Sequence, residues 1–316
     1  MSRILYLAFP AGEKITGGLK MIVRHVETLR ELGFDAVLWL NSQAAAPTWL
    51  AHSCPVEMAT HFRPDDVLVL PEDAPNAIAH VAGLTNRVVI FCQSHLNLVA
   101  LSHDAVRGFP SGRFPAFIGV GPRVVAAIRR DFPEADVELV HCFADERVFR
   151  PAAARRPGVV HIPRKRPGEA SVIRALLQRR HPRHADLPWI ALENAPEAAV
   201  AEAMGSSTLF LALGRQEAVG LTPLEAMASG CVVAGFKSVG GGDFASPDNG
   251  FWAPEEDCEA AADALAQAAD VVAAGGRRLQ AVLDAAAVTA ADWSYAAFRP
   301  RLETFWSRIA PQARTL

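Results

Sequence analysis

The sequence predicts an α/β protein built from two doubly wound domains. The chain has 316 residues, which suggests two domains at the usual size of ~150 residues each. Apolar strand-like runs alternate with helix-like stretches, and the alternation begins again after a polar segment bounded by Pro151 and Pro157. Such alternation is typical of a parallel sheet covered on both faces. Two such domains in tandem predict a cleft between the carboxyl ends of two sheets, where open α/β sheets bind ligands.

The first predicted domain spans residues 1–152 and begins with a buried strand at 3–9. A helix follows at 19–32, because its apolar positions recur every three or four residues and Gly33 ends it. The run at 87–92 is continuously apolar, as a strand buried on both faces requires. The remaining predicted elements are strands at 35–40, 66–70, 114–120 and 137–141 and a helix at 123–130.

The second predicted domain spans residues 153–292, and a terminal segment at 293–316 follows it. Its apolar runs predict four short strands between amphipathic helices. The strands are predicted at 159–162, 189–192, 208–213 and 232–236, and the helices at 170–179, at 197–204, from Pro223, at 255–273 and at 277–287. A last helix is predicted at 295–309.

Composition excludes several classes of protein. With 51% hydrophobic and 21% charged residues the chain is not disordered, and a net charge of −3 argues against a nucleic-acid partner. The sequence has no apolar run near the ~18 residues of a membrane span. The apolar run at 3–9 predicts a strand rather than a signal peptide, because no signal-peptide cleavage site follows it. Scattered cysteines, odd in number, predict free thiols and a cytoplasmic protein. They are Cys54, Cys92, Cys142, Cys231 and Cys258.

The most informative stretch runs from 214 to 233. A strand ends near Leu213, a glycine-punctuated loop follows, and a helix begins with proline in its first turn. Exposed N–H groups at such a helix start attract phosphate, and the carboxylates of Glu217 and Glu225 can bind vicinal sugar hydroxyls. Together they suggest a nucleotide-sugar pocket. The alternative is that Glu217 is a solvated loop residue and Glu225 a first-turn acid that complements the helix dipole.

This stretch resembles the Glu-x7-Glu signature of the retaining GT-B glycosyltransferases of family 4. The resemblance implies two Rossmann-like doubly wound domains, an interdomain cleft and a C-terminal helix that crosses back to the first domain. It also implies that Glu217 contacts the donor sugar and Glu225 the ribose hydroxyls, with Gly220 and Leu221 in the same donor site. The matching positions are Glu217, Gly220, Leu221, Pro223, Leu224, Glu225, Ala226, Met227, Ala228 and Gly230.

Two further segments extend the resemblance, and each has a structural alternative. Gly17 and Gly18 resemble the family's N-terminal glycine loop near the donor phosphates, although an ordinary strand–helix turn would also use glycine. Arg164 and Lys165 follow a strand, where the family uses cations to clamp the diphosphate; Arg166 is a further candidate. The cations are adjacent here and spaced in the family, and the alternative is a solvated basic loop.

His95 follows the predicted strand at 87–92. The resemblance implies that it contacts the donor hexose, and the alternative is a structural histidine. His25 and His103 are weaker candidates. The family's Pro-Asn-Gly before the linker is replaced here by His141-Cys142-Phe143. The family's usual Glu after the glycine run at 240–242 is absent, and Asp243 is the nearest acid.

These observations predict a retaining hexosyltransferase that uses a UDP- or GDP-linked sugar and no cofactor. A metal is not implied, because the chain has no Asp-x-Asp and no His-x3-His. The acceptor is expected to be a carbohydrate or a lipid-linked sugar of a bacterial surface polysaccharide or glycolipid. The alternatives are a non-catalytic accessory protein of the same fold and a nucleotide-sugar epimerase. Basic residues of the first helix, Lys20, Arg24 and Arg30, could meet the inner face of the membrane, or simply be solvated.

Overall fold

The computed structural model describes residues 2–9, 15–41, 48–58 and 61–315. The chain divides into two compact units. The first unit comprises Met1–Cys142 and Phe298–Leu316, and the second comprises Phe143–Ala297. The division precedes residue 152 because the chain after Cys142 already packs with the second unit. Phe149 lies in a core cluster of that unit, and the Ala144 N–H donates to the Trp293 carbonyl (2.9 Å).

The first unit contains a parallel sheet of seven strands in its described part, in the order β3-β2-β1-β4-β5-β6-β7. Strands β1 and β4 are buried along their whole length, as continuous apolar runs predict. The strands are β1 (Ile4–Ala8), β2 (Ala36–Leu40), β3 (Val56–Glu57), β4 (Val67–Pro71), β5 (Arg87–Cys92), β6 (Ala116–Gly119) and β7 (Val137–Leu139).

Helices α1 (Gly17–Glu31) and α5 (Pro122–Asp131) confirm the helices predicted in this half. The apolar stripe of α1 is buried, as its spacing predicts. Three helices were not predicted: α2 (Pro75–Ala82), α3 (His95–Asn97) and α4 (His103–Arg107), the last two joined by a π-helical turn at Leu98–Ser102. Each is too short to show a clear helical period.

The second unit contains a parallel sheet of five strands in the order β12-β11-β10-β8-β9. The four predicted strands are confirmed, and the three-residue β12 was not predicted. One core cluster includes Ile173 and Leu265, and another includes Met204 and Met227, so apolar side chains cover both faces. The strands are β8 (Arg156–His161), β9 (Trp189–Ala191), β10 (Ser207–Ala212), β11 (Val232–Phe236) and β12 (Phe251–Ala253).

The helices of the second unit also follow the prediction. They are α6 (Pro167–Arg180), α7 (Glu197–Ser206), α8 (Leu221–Ala228), α9 (Cys258–Ala274) and α10 (Gly276–Asp292). Helix α8 begins at Leu221 and not at the predicted Pro223. All five cysteines are free, as predicted.

The terminal helix α11 (Tyr295–Ile309) starts in the second unit and ends in the first. Its buried Trp306 ring lies 6.1 Å from the Tyr6 ring of β1, and Phe298 lies 4.9 Å from His25 of α1. Arg87 of β5 donates to the Ile309 carbonyl (2.7 Å). These contacts fix the end of the chain on the first sheet, as the predicted crossover helix requires.

Candidate functional site

The candidate donor site lies at one edge of the second unit's sheet. Because β8, β10, β11 and β12 are parallel, the loops at their carboxyl ends meet at that edge. The loop at 213–220 after β10 contains Glu217 and leads into α8, and the loop at 162–166 after β8 contains the basic cluster. Open parallel sheets bind their ligands at this edge.

Two glycines shape the loop that contains Glu217. Gly220, immediately before α8, has a φ of +88°, which L side chains rarely adopt. Gly240, in the loop after β11, donates its N–H to the Glu217 carbonyl (2.9 Å). A Cβ on Gly240 would lie 2.4 Å from the Ala218 carbonyl carbon, so only glycine lets these two backbones approach so closely.

Lys165 and Glu217 form an ion pair across the site. The Lys165 Nζ lies 2.6 Å from the Glu217 Oε1, and it also donates to the Arg215 carbonyl (3.3 Å). Each side chain of the pair is 31% exposed. A pair this exposed contributes at most about 1 kcal/mol to stability, so the contact holds two charges at the edge of the site rather than holding the fold together.

The three successive cations of the basic cluster have different environments. Arg164 is exposed, Lys165 is half-buried, and the Arg166 side chain is fully buried at 0% exposure. The three lie in or directly after a 3-10 turn at Pro163–Lys165. The sequence predicted Arg164 and Lys165 as donor-binding cations and left Arg166 open.

The guanidinium of Arg166 is surrounded by groups of its own unit. It donates to the Gly214 carbonyl (3.1 Å), pairs with Glu255 and with Glu256 (3.1 Å), and lies 4.3 Å from the centre of the Phe236 ring. Burial and these partners fix it between the loops after β8, β10, β11 and β12. Arg166 therefore supports the site and is not accessible to a ligand phosphate.

Glu225 is the fifth residue of α8 and is 4% exposed. The alternative that it is a first-turn acid on the helix surface is wrong, because it lies in the second turn and is buried. A buried carboxyl group is costly unless polar groups pair with it, so Glu225 is a polar position inside the unit rather than a solvated one. Leu221 begins the same helix and is half-buried.

The remaining predicted site residues lie in the first unit. Helix α1 begins at Gly17, and Thr16 caps it by accepting the Leu19 N–H (3.2 Å). A Cβ on Gly18 would lie 3.3 Å from the Gln93 amide nitrogen, which donates to the Gly18 carbonyl (3.3 Å). A side chain at position 18 would therefore displace the Gln93 amide by a few tenths of an ångström, and the backbone conformation there does not itself favour glycine.

His95 is the first residue of α3, just after the carboxyl end of β5. It is half-buried, and Ser94 caps the turn by accepting the Asn97 N–H (3.3 Å). His25, a weaker candidate, is a core histidine of α1. Its Nδ1 lies 3.0 Å from the Tyr6 hydroxyl, and burial lowers its pKa to about 3.

Sequence reasoning missed Glu72, the residue after β4. It is 3% exposed, and its Oε2 accepts the Gln93 N–H (2.9 Å). Burial raises the pKa of its carboxyl group to about 8. The available signal was an acidic residue directly after an uninterrupted apolar strand, at the edge where parallel sheets bind ligands.

The described residues show neither a cluster of metal ligands nor a helix that could span a membrane. No group of three or more His, Cys, Asp or Glu side chains in that part of the chain is placed to hold a metal ion. None of the helices described combines the length and the apolar character that crossing a membrane would need.

Part of the chain is similar to known glycosyltransferases. Residues 171–270, about a third of the chain, match the family model for Glycosyl transferases group 1. The matched segment contains Glu217 and Glu225 and begins after Lys165. An alpha-1,6-glucosyltransferase from Actinobacillus pleuropneumoniae serotype 7 (strain AP76) is 23% identical over 233 residues, which cover 70% of this chain and 69% of that protein.

Solved structures share the fold over nearly the whole chain. Anabaena HepE in complex with UDP-glucose superposes with a TM-score of 0.70 at 14% identity, covering 97% of this chain and 99% of that one. Sucrose-phosphate synthase from Thermosynechococcus elongatus gives 0.72 at 14% identity, with 99% and 100% covered. The chain therefore has the two-domain, Rossmann-like GT-B fold, and the family match supports a glycosyltransferase of that fold.

Proposed function

We propose that the protein is a retaining glycosyltransferase that moves a hexose from a nucleotide-sugar donor to a carbohydrate or lipid-linked acceptor. The observation that carries this proposal is the arrangement of Lys165, Glu217 and Glu225 at the carboxyl edge of the second sheet. The family match to residues 171–270 supports it, because two of these three residues lie within that segment.

Each part of the donor has a group of matching chemistry in the second unit. The buried carboxyl of Glu225 binds the ribose hydroxyls, and Glu217, on the loop that leads into α8, binds hydroxyls of the sugar. The backbone N–H groups at Gly220 and Leu221 begin α8, and a helix start favours phosphate. The donor is UDP- or GDP-linked, and the UDP-glucose complex of Anabaena HepE supports UDP-glucose as the first donor to test.

The cations of the basic cluster stabilise the leaving nucleotide. As the bond to the sugar breaks, negative charge grows on the diphosphate, and a preorganised cation offsets that charge. Lys165 is held for this role by Glu217 at 2.6 Å, and Arg164 presents a second, exposed charge beside it. These two cations replace a metal ion in the proposed reaction.

The first unit supplies the acceptor side of the reaction. Gly17 and Gly18 approach the donor phosphates, and His95 contacts the donor hexose. The acceptor belongs to a bacterial surface polysaccharide or glycolipid, and the enzyme works in the cytoplasm or at the inner face of the membrane.

The test is calorimetric titration with UDP, GDP, ADP and CMP. We expect tight binding of one nucleotide. Glu225→Ala loses hydrogen bonds worth about 1–3 kcal/mol, so its affinity falls about five- to 150-fold. Glu202→Ala removes an exposed glutamate of α7 and is the matched control that keeps wild-type affinity.

This titration, followed by incubation with nucleotide-sugars, separates the alternatives. If no nucleotide binds, the accessory-protein alternative becomes the leading one, and Glu217 and Glu225 are structural residues. If a nucleotide-sugar binds and is converted to its epimer without transfer, the protein is an epimerase.

A further inference from the structure

Glu72 has a central place at the carboxyl edge of the first sheet. Its carboxyl group accepts the N–H of Gln93 at 2.9 Å, and the Ser94 N–H also bonds to it. Its own carbonyl accepts the Ser102 hydroxyl, so the π-helical turn after α3 is tied to the same residue. Glu72 therefore connects the end of β4 to the segment that follows β5.

The contacts continue from that segment to the start of α1. Glu72 accepts the backbone N–H of Gln93, and the side-chain amide of Gln93 donates to the Gly18 carbonyl at 3.3 Å. Glu72 also accepts the N–H of Ser94, and the Ser94 side chain caps the turn that begins with His95. One buried carboxyl group thus fixes both first-unit features of the proposed site, the glycine turn and the histidine.

We infer that Glu72 is a positioning residue, whose carboxyl group sets the geometry of the Gly18 turn and of His95 for substrate binding. This inference rests on the proposed function only for its effect on substrate. The hydrogen bonds that carry it do not depend on the reaction.

The protonation state of Glu72 follows from its surroundings. Burial raises its pKa to about 8, and the neighbouring Asp73 acts in the same direction. The Cys92 and Cys142 thiols also face it, and burial raises the pKa of Cys142 to about 12 and that of Cys92 well above its usual value. Lys20 of α1 also lies near Cys142, and its positive charge acts against the rise in the pKa of that thiol.

At neutral pH the Glu72 carboxyl group is therefore mostly protonated and uncharged. Above pH 8 it gains a negative charge close to Gln93, whose amide contacts the Gly18 carbonyl, and that charge disfavours the approach of an anionic donor. The protonated fraction falls about tenfold between pH 7 and pH 9. We expect the wild-type kcat/KM for the donor to fall with it, through a rise in KM.

Two substitutions test this role. Glu72→Gln mimics the protonated carboxyl, and we expect wild-type kcat/KM at pH 7 without the fall above pH 8. Glu72→Leu fills the space but accepts no hydrogen bond, and we expect kcat/KM to fall about tenfold or more at every pH. Asp66→Asn is the matched control: Asp66 is also buried but lies at the other end of β4, paired with Arg3 at 2.8 Å, and its loss leaves the pH profile unchanged.

A second measurement needs no substrate. Hydrogen exchange at the Gln93 and Ser94 amides should be faster in Glu72→Leu than in the wild type, and unchanged in Glu72→Gln at pH 7. Unchanged exchange in Glu72→Leu overturns the positioning role, as does a Glu72→Gln pH profile that matches the wild type. If the wild type transfers no sugar at all, the proposed function fails, while the exchange result still decides the role of Glu72.

Discussion

At the scale of single residues, burial decides which basic side chain can meet a ligand. Lys165 and Arg166 are neighbours in sequence, yet one is half-exposed and paired with Glu217 while the other is fully buried among carboxylates. An accessible cation that is paired with one carboxylate can form an ion pair with a bound diphosphate instead. A buried cation with several partners cannot do so without leaving those carboxylates unpaired.

We predict that Lys165→Ala lowers turnover far more than it lowers stability. Loss of one preorganised charge typically reduces kcat about 100-fold or more, whereas an ion pair this exposed is worth at most about 1 kcal/mol. Steady-state kinetics and thermal unfolding check the two effects. Arg180→Ala removes another exposed cation, paired with Glu259 at 2.9 Å, and is the control for general charge loss. Wild-type turnover in Lys165→Ala would refute the assignment.

At the scale of elements, the site depends on how closely its loops pack. The loops after β10 and β11 touch through backbone atoms, because Gly240 donates to the Glu217 carbonyl at 2.9 Å. This contact sets the position of the loop that contains Glu217, and it leaves no room for a side chain at position 240.

We predict that Gly240→Ala weakens nucleotide binding and destabilises the second unit. The added methyl group would lie 2.4 Å from backbone atoms, and such overpacking typically costs about 1–3 kcal/mol. Gly168→Ala in α6 is the matched control, because no atom lies within 4 Å of its added Cβ. Calorimetry and thermal unfolding of the two variants measure the difference. Equal behaviour of both would show that the loop contact does not shape the site.

Most elements that the sequence predicted have a long apolar pattern, although the three-residue strands β7 and β9 were predicted as well. Strands such as β5 and helices such as α1 contain enough residues to show their period. The two-residue β3 and the three-residue β12 do not, because sheet pairing rather than local sequence defines them. The helices between residues 95 and 107 are similarly short and include a π-helical turn.

The residues of the candidate site that lie in one continuous stretch of sequence were predictable. The contacts between residues of separate loops were not. Glu217 and Glu225 could be proposed because the residues between 217 and 230 match the Glu-x7-Glu signature position by position. The pairing of Lys165 with Glu217 and the burial of Arg166 depend on loops about 50 residues apart, which no local pattern encodes. Glu72 was missed for the same reason, since its partners lie on the next strand.

At the scale of the whole molecule, each unit has polar chemistry at the carboxyl edge of its own parallel sheet. The second unit combines Glu217 and Lys165 with Gly220, which immediately precedes α8. The first unit combines Glu72 with Gly17 and Gly18, the first residues of α1. The fold is shared with solved GT-B structures, and the family match covers the core of the second unit. A shared fold does not determine the substrate, which has to be measured.

The measurement that tests the central claim most directly is nucleotide release from a nucleotide-sugar. Purified protein is incubated with UDP-glucose, GDP-glucose and related donors in the presence of a panel of carbohydrate acceptors, so that the sugar passes to an acceptor or to water. The free nucleoside diphosphate is followed over time, with Glu225→Ala in parallel. We predict that the wild type releases the nucleotide from one donor class and that Glu225→Ala, at low donor concentration, releases it about five- to 150-fold more slowly. Absence of release from every donor, together with absence of nucleotide binding, would contradict the claim that this chain transfers a sugar.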